Sequence, residues 1–378
     1  MSALEAAVSP EERVVVSRRR FLTIGSASVL AEIAQPDPAA GQTAAPAPGG
    51  SLTDIGGVRV GHFTDERRPT GCTAILFDRP AVAGIDYDGS APAESLGAML
   101  QPVSPLEHIH AVLLSGGGPM GLGATAGVVR FLEERRVGYD WGVPNVRVPV
   151  VIGAAIDDLA LGDARLRAGP DEAYRACQAA TGGAIAEGSV GAGAGATVGK
   201  MFVARGMAGM KGGIGSASVR LGDVVVASLV VVNCAGDIVD WRRGAIVAGA
   251  RTADARGFAR SVDVLRRDLE KPSAMNPSTA DVPLRATLLA VVGTNVTLAK
   301  TQLTKLAMMA NTGAARAIVP YHTQGDGDQI IAVSSGLSNV GVSLTALGAI
   351  AAETLADAIV RAVRSAKGVA GWAAVSEL

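Results

Sequence analysis

Two stretches of this chain are apolar almost from end to end, Val224–Val232 and Leu288–Gly293. Both are rich in valine and leucine and too short for globular helices, so they read as strands. Successive side chains of a strand point to opposite faces. A strand with no polar face must therefore be covered on both sides, which excludes a sheet with one wet face. Composition sharpens the point. Hydrophobic residues make up 48% of the chain but aromatics only 3%, beside 48 glycines, so the core must be built from small aliphatic side chains packed element on element. Six further runs read as strands: Gly57–Val60, Thr73–Phe77, Ala111–Leu114, Val148–Gly153, Ala317–Val319 and Gln329–Ser334. Helices are predicted over Ala124–Arg136, Pro170–Ala180, Leu303–Asn311 (stopped by Thr312-Gly313) and Val342–Ala366. Strands and helices do not alternate regularly enough for a doubly wound sheet, so a layered α/β or α+β sandwich is the expected class.

Residues 1–50 stand apart from that fold. Ser17-Arg18-Arg19-Arg20-Phe21-Leu22 is similar to a twin-arginine export signal, and an apolar run to Ala34 follows, interrupted by Glu32. Gln35–Gly50 is dominated by Pro, Ala and Gly, as in a linker. The expectation is export to the periplasm or beyond; otherwise the segment is a basic tail on a cytoplasmic protein. No later run is long enough to span a membrane. A formal net charge of −1 and the lack of a basic patch interleaved with aromatics argue against nucleic acid. Three widely spaced cysteines (Cys72, Cys177, Cys234) and four histidines suit neither a disulfide framework nor a zinc site, so the cysteines read as small buried hydrophobes.

Two glycine loops look like phosphate cradles. Gly191 to Lys200 ends in Gly-Lys, but Ala194 stands where a Walker loop needs glycine, and Met201 where it needs Ser or Thr. Nucleotide binding is therefore not expected. Gly116-Gly117-Gly118 follows a strand and precedes a helix, so its amides are candidates for close approach to a substrate, the alternative being a simple tight turn.

Six phrases, in order, carry a resemblance. They are Gly57–His62, Thr70–Thr73, Glu187–Gly193, Lys211–Ser218, Val232–Asp237 and Ala286–Gly336. Together they resemble the L-aminopeptidase/D-esterase and β-peptidyl aminopeptidase family, which includes the nylon-oligomer endohydrolases. The similarity runs from about Thr53 to Ala366. The resemblance implies an α-β-β-α sandwich made as an inactive precursor that cuts itself into associated pieces, here 51–286 and 287–378, and assembles into oligomers. Ala286 and Thr287 would flank the cut, and Thr287 would be the nucleophile, with its freed α-amine as base. An α-amine titrates near neutrality, at about 7.7–8.0 in model peptides, so a useful fraction is neutral. Asp326 and Asp328 would orient that amine and shuttle protons, Asn233 would hold the oxyanion, and one of Lys200 and Lys211, Lys200 for preference, would lie in the site. Asp326-Gly327-Asp328 is similar to the nylon-oligomer branch, where the aminopeptidase branch has Ser-x-Glu.

Ala286 replaces the usual Asn or Gly and Leu288 a common second Thr, which bears on cleavage rate rather than on its possibility. The Pro272–Pro283 loop would let the new chain end swing away. His62, Cys72 and His322 belong to the motifs without an assigned role. Short peptides or ω-amino-acid oligomers are the implied substrates, with no metal or organic cofactor. Two other readings remain open: a processing-defective relative serving as a binding or structural oligomer, and an acyltransferase of similar fold.

Overall fold

The computed structural model describes residues 49–87, 89–270, 286–369 and 371–378, so the export-signal segment (as far as Pro48) and the Pro272–Pro283 loop lie outside the described residues. The described residues form one compact unit. Its principal strands are β1 (Val58–Asp65), β2 (Thr70–Tyr87), β3 (His108–Ser115), β4 (Val151–Ala155), β5 (Gly213–Leu221), β6 (Val224–Asn233), β7 (Thr287–Val296) and β8 (Gln329–Ser338). The helices are α1 (Thr125–Glu133), α2 (Pro170–Gln178), α3 (Ser261–Glu270), α4 (Lys300–Ala317) and α5 (Leu344–Arg364).

Hydrogen bonding joins the strands in the order β5-β6-β7-β8-β2-β3-β4, with β1 on β2. The 18-residue β2 serves two layers. Its residues 82–87 pair with β8, whereas 70–77 pair with β1, and β3 pairs with 72–76 and, past a break, with 81–82. The register breaks between Leu76 and Ala81, where Asp78, Arg79 and Pro80 are exposed, and an interrupted ladder lets a strand pass from one sheet to another.

Alternation along the strands then sorts the core into three slabs. Val225, Ala227, Leu229 and Val231 of β6 pack with Leu289 and Val291 of β7 against Ile75, Val112 and Ile152 of β2, β3 and β4, which is sheet on sheet. Val226, Val230 and Val232 share the other face with Leu288, Ala290 and Val292 and meet Leu303, Leu306, Leu355 and Ile359 of α4 and α5. Ala74, Leu76 and Leu113 turn outward onto Val128 and Phe131 of α1 and Ala173 and Ala176 of α2. The result is the expected α-β-β-α sandwich. The two apolar runs are its inner strands, covered on one face by helices and on the other by the second sheet.

Several elements differ from expectation, among them α3, which was not anticipated. The run Val148–Gly153 is split: Arg147–Val148 pairs with Tyr139–Asp140, and β4 starts only at Val151, because Pro149 supplies no ladder donor. β5 was not anticipated at all. Helix α4 begins three residues early and does not stop at Thr312-Gly313 but continues to Ala317. Gly313 is a packing residue, since a Cβ there would lie 1.9 Å from the Ala352 carbonyl oxygen of α5. The missing methyl lets the two helices touch, which outweighs the poor helix propensity of glycine. Gly313→Ala should therefore destabilise the protein by about 1–3 kcal/mol despite its better propensity, read as a lower urea midpoint.

Among the described residues, no helix is long and apolar enough to cross a membrane.

Candidate functional site

The inner strands bring one polar end each to the same place. β6 ends at Asn233 and β7 begins at Thr287, and the two residues face each other in the antiparallel register. β7, α4 and β8 form a strand-helix-strand unit with parallel strands, so β8 starts at the same end as β7, with Gln329 beside Leu289. One step further out, Asp326 bridges to Ala286. Topology alone thus brings Thr287, Asn233, Asp326 and Asp328 together, and all four are buried.

The Thr287 hydroxyl donates to the carbonyl oxygen of Ala286 at 2.5 Å, and the Gly327 N–H reaches the same oxygen at 3.0 Å. Asp328 ties the strand start in place. One of its oxygens accepts the Leu288 N–H at 2.6 Å, and the other lies 3.0 Å from His322 Nδ1. The imidazole is held at a backbone φ of 55°, a left-handed conformation that costs a non-glycine residue roughly 1–2 kcal/mol. Asp326 is placed differently. Its Oδ2 accepts the Thr323 N–H at 2.7 Å, while its buried Oδ1 has no hydrogen-bond partner among the described residues. Burial first, and the neighbouring Asp328 carboxylate second, push the Asp326 carboxyl above the usual range. The two carboxylates therefore differ: both oxygens of Asp328 are engaged, and Asp326 keeps an unused oxygen among the described residues.

Lys200 approaches from the glycine loop. Its Nζ donates to Asn233 Oδ1 at 2.6 Å and to Thr197 Oγ1 at 3.2 Å, and the Thr197 N–H adds a further bond to Asn233 Oδ1 at 3.0 Å. Donors on Oδ1 settle which way the amide faces, and Nδ2 reaches the Asp157 carbonyl at 3.2 Å. Burial lowers the Lys200 ammonium to about 8, opposed by nearby groups that include Asp157 and Asp326. Lys211 lies elsewhere. Its fully buried Nζ donates to the carbonyls of Gly193, Ala196 and Gly212 at 2.8–3.1 Å. Burial pulls it down to about 7, yet three acceptors need three N–H groups, which only the ammonium form carries. Lys211 pins the glycine loop, and Lys200 contacts the site.

The glycines 116–118 do not fit the role of substrate cradle. Their N–H groups are all taken, by Gly71 O, Asp158 Oδ1 and Ile156 O respectively, each at 2.9 Å. The small size of Gly116 serves Asp158, since a Cβ there would lie 2.2 Å from Asp158 Oδ2. Asp158 also accepts Thr70 Oγ1 at 2.6 Å and pairs with Arg68 at 2.7 Å, with neither side chain of that ion pair exposed. That pair and the His322–Asp328 contact escaped the sequence reading. His322 had one usable signal, its place four residues before Asp326. The three cysteines are free and buried, and burial raises the Cys234 thiol, which keeps it protonated beside the carboxylates.

An α-β-β-α sandwich with this arrangement at its strand ends has the fold of the Ntn hydrolases. The L-aminopeptidase D-Ala-esterase/amidase of Ochrobactrum anthropi, described as a variant of that fold, superposes with a TM-score of 0.60 at 20% identity, over 84% of this chain and 86% of that one. A Burkholderia sp. β-aminopeptidase gives 0.60 at 23% identity, over 84% and 88%. The chain belongs to peptidase family S58, whose profile matches residues 50–376, and it is an amide-bond hydrolase. An uncharacterized aminopeptidase of Mycobacterium leprae is 33% identical over 86% of this chain and 93% of its own length. The 6-aminohexanoate-oligomer endohydrolase of Kocuria sp. is 33% identical over 82% and 85%.

Proposed function

We propose that this hydrolase cuts its own chain between Ala286 and Thr287 and then uses Thr287 as the nucleophile against short peptides or ω-amino-acid oligomers. The observation that carries the reading is the buried Thr287 hydroxyl, 2.5 Å from the carbonyl oxygen of the bond it would break. Once that bond is cut, the Thr287 α-amine sits on the same residue as the hydroxyl and serves as its base. Asp328, held by Leu288 and His322, keeps the strand start in place. Asp326, with an unused oxygen and a raised pKa, accepts and returns protons. Asn233, oriented by Lys200, lends its amide to the oxyanion of the hydrolytic step.

The substrate class rests on the relative named as a 6-aminohexanoate-oligomer endohydrolase and on the Asp-Gly-Asp phrase at 326–328. The mature enzyme on this reading is an oligomer of the pair 51–286 and 287–378, exported through the Arg18-Arg19 signal.

Intact mass and N-terminal sequencing of purified protein test it together. Two fragments are expected, one opening Thr-Leu-Leu-Ala. A chain that stays at 38.1 kDa through prolonged incubation would overturn the reading.

A further inference from the structure

In the uncut chain, the Ala286 carbonyl oxygen has a second donor besides the neighbouring hydroxyl: the main-chain N–H of Gly327, at 3.0 Å. A donor already bonded to the ground-state oxygen is placed to follow it as the carbonyl becomes tetrahedral. The amide is also rigidly aimed. The backbone carbonyls on either side of it, Asp326 O and Asp328 O, accept the N–H groups of Ala91 and Gly89, each at 3.0 Å. The flanking carboxylates are bonded to Thr323 and Leu288. A Cβ on Gly327 would lie 2.5 Å from Ala91 O and 3.0 Å from the Thr287 hydroxyl oxygen, so residue 327 sits directly over the nucleophile and has room only for hydrogen.

We infer that the Gly327 N–H is the oxyanion donor for cleavage of the Ala286–Thr287 bond, and that it is then vacated to serve substrate carbonyls in the same way. This rests on the self-cleavage reading above. Thr287 Oγ forms a bond to the Ala286 carbonyl carbon, and the carbonyl electron pair moves onto the oxygen facing Gly327. The hydroxyl proton passes through Asp326 to the Thr287 nitrogen. The electron pair returns, the C–N bond breaks, and Ala286 is left as an ester on Thr287 beside a free amine. Water cleaves the ester, releasing the Ala286 carboxylate and restoring the hydroxyl. A substrate acyl group on Thr287 Oγ is chemically the same ester. Its carbonyl oxygen therefore falls where that of Ala286 had been, against the same N–H. The uncut Ala286 carbonyl is in this sense a built-in substrate, and Gly327 is the main-chain donor that would join the Asn233 amide on the oxyanion of the hydrolytic step.

The direct test replaces Gly327 by glycolic acid through in vitro translation, which turns its N–H into an ester oxygen and adds no atoms. Loss of one oxyanion donor slows a reaction by about 10²–10³-fold. Self-cleavage, followed by intact mass, should slow by that factor, and the processed fraction should lose kcat with little change in KM. The same replacement at Gly244, whose N–H closes an exposed turn onto the Asp240 carbonyl away from Ala286, should leave cleavage near the wild-type rate. Wild-type cleavage by the Gly327 ester, or equal slowing by the two esters, overturns the inference while leaving Thr287 as nucleophile. A wild-type chain that never cleaves overturns both.

Discussion

Replacing Thr287 with alanine should leave a single chain of 38.1 kDa with amide hydrolysis lowered by about 10⁴-fold or more, the loss expected when a nucleophile is removed and only binding and oxyanion contacts remain. The effect is large because one atom has two tasks. Without Oγ1 nothing attacks the Ala286 carbonyl, and without that attack no α-amine is freed to act as base. Stability should change little by comparison. Alanine can keep the backbone pairing with Asn233 across the ladder, and the lost side chain stands at the strand start rather than in its middle. A thermal midpoint within a few degrees of wild type would show that the missing cleavage is not a folding failure. Thr287→Ser keeps the hydroxyl and should still yield the two fragments. Fragments from Thr287→Ala would contradict the assignment outright.

How much of this was legible in the sequence depends on where the determining physics lies. The inner strands and a layered sandwich follow from local pattern, because a run such as Val224–Val232 has no face that water can wet, whereas the four-layer order came only with the family resemblance. The nearness of Thr287 to Asp326 and Asp328 was readable only through the family resemblance; its physical cause is the parallel pairing of β7 and β8. What stayed hidden depends on partners distant in sequence. β5 reads as a glycine-serine loop, Gly213-Ile214-Gly215-Ser216, yet Gly215 is small because α5 lies on it, with the Ala358 carbonyl 2.3 Å from where a Cβ would stand. Gly313 looked like a helix stop for the same reason. Gly116 signalled close approach correctly, but what approaches is the protein's own Asp158. Arg68 and Asp158 were indistinguishable from surface charges, since nothing local marks a charge as buried.

That last pair yields the second large effect. Arg68→Met should destabilise the chain by about 3–5 kcal/mol, the cost of stranding one member of a buried ion pair. Set against a typical total of about 5–15 kcal/mol, this is enough to leave a measurable unfolded fraction at moderate urea. The guanidinium donates to the carbonyls of Leu161, Leu166 and Asp158 as well as to the Asp158 carboxylate, so methionine leaves several buried acceptors unpaired. Asp158 in turn holds Thr70 and Gly117, which ties three loops to one carboxylate. Adding Asp158→Asn to Arg68→Met removes the stranded charge: the amide oxygen can take the Oδ1 place and accept from the Gly117 N–H, and the amide NH₂ in the Oδ2 place can donate to the Thr70 hydroxyl, which then accepts. The double variant should therefore be more stable than the single one, although two charged groups have been lost instead of one. The loops also reach the site, because the residue next to Asp158 offers its carbonyl to Asn233 Nδ2 at 3.2 Å. Loosening them should slow self-cleavage in proportion to the displacement of that amide, even where the chain remains folded. An Arg68→Met protein with the wild-type urea midpoint would show instead that water reaches the pair and that its burial is not what holds these loops together.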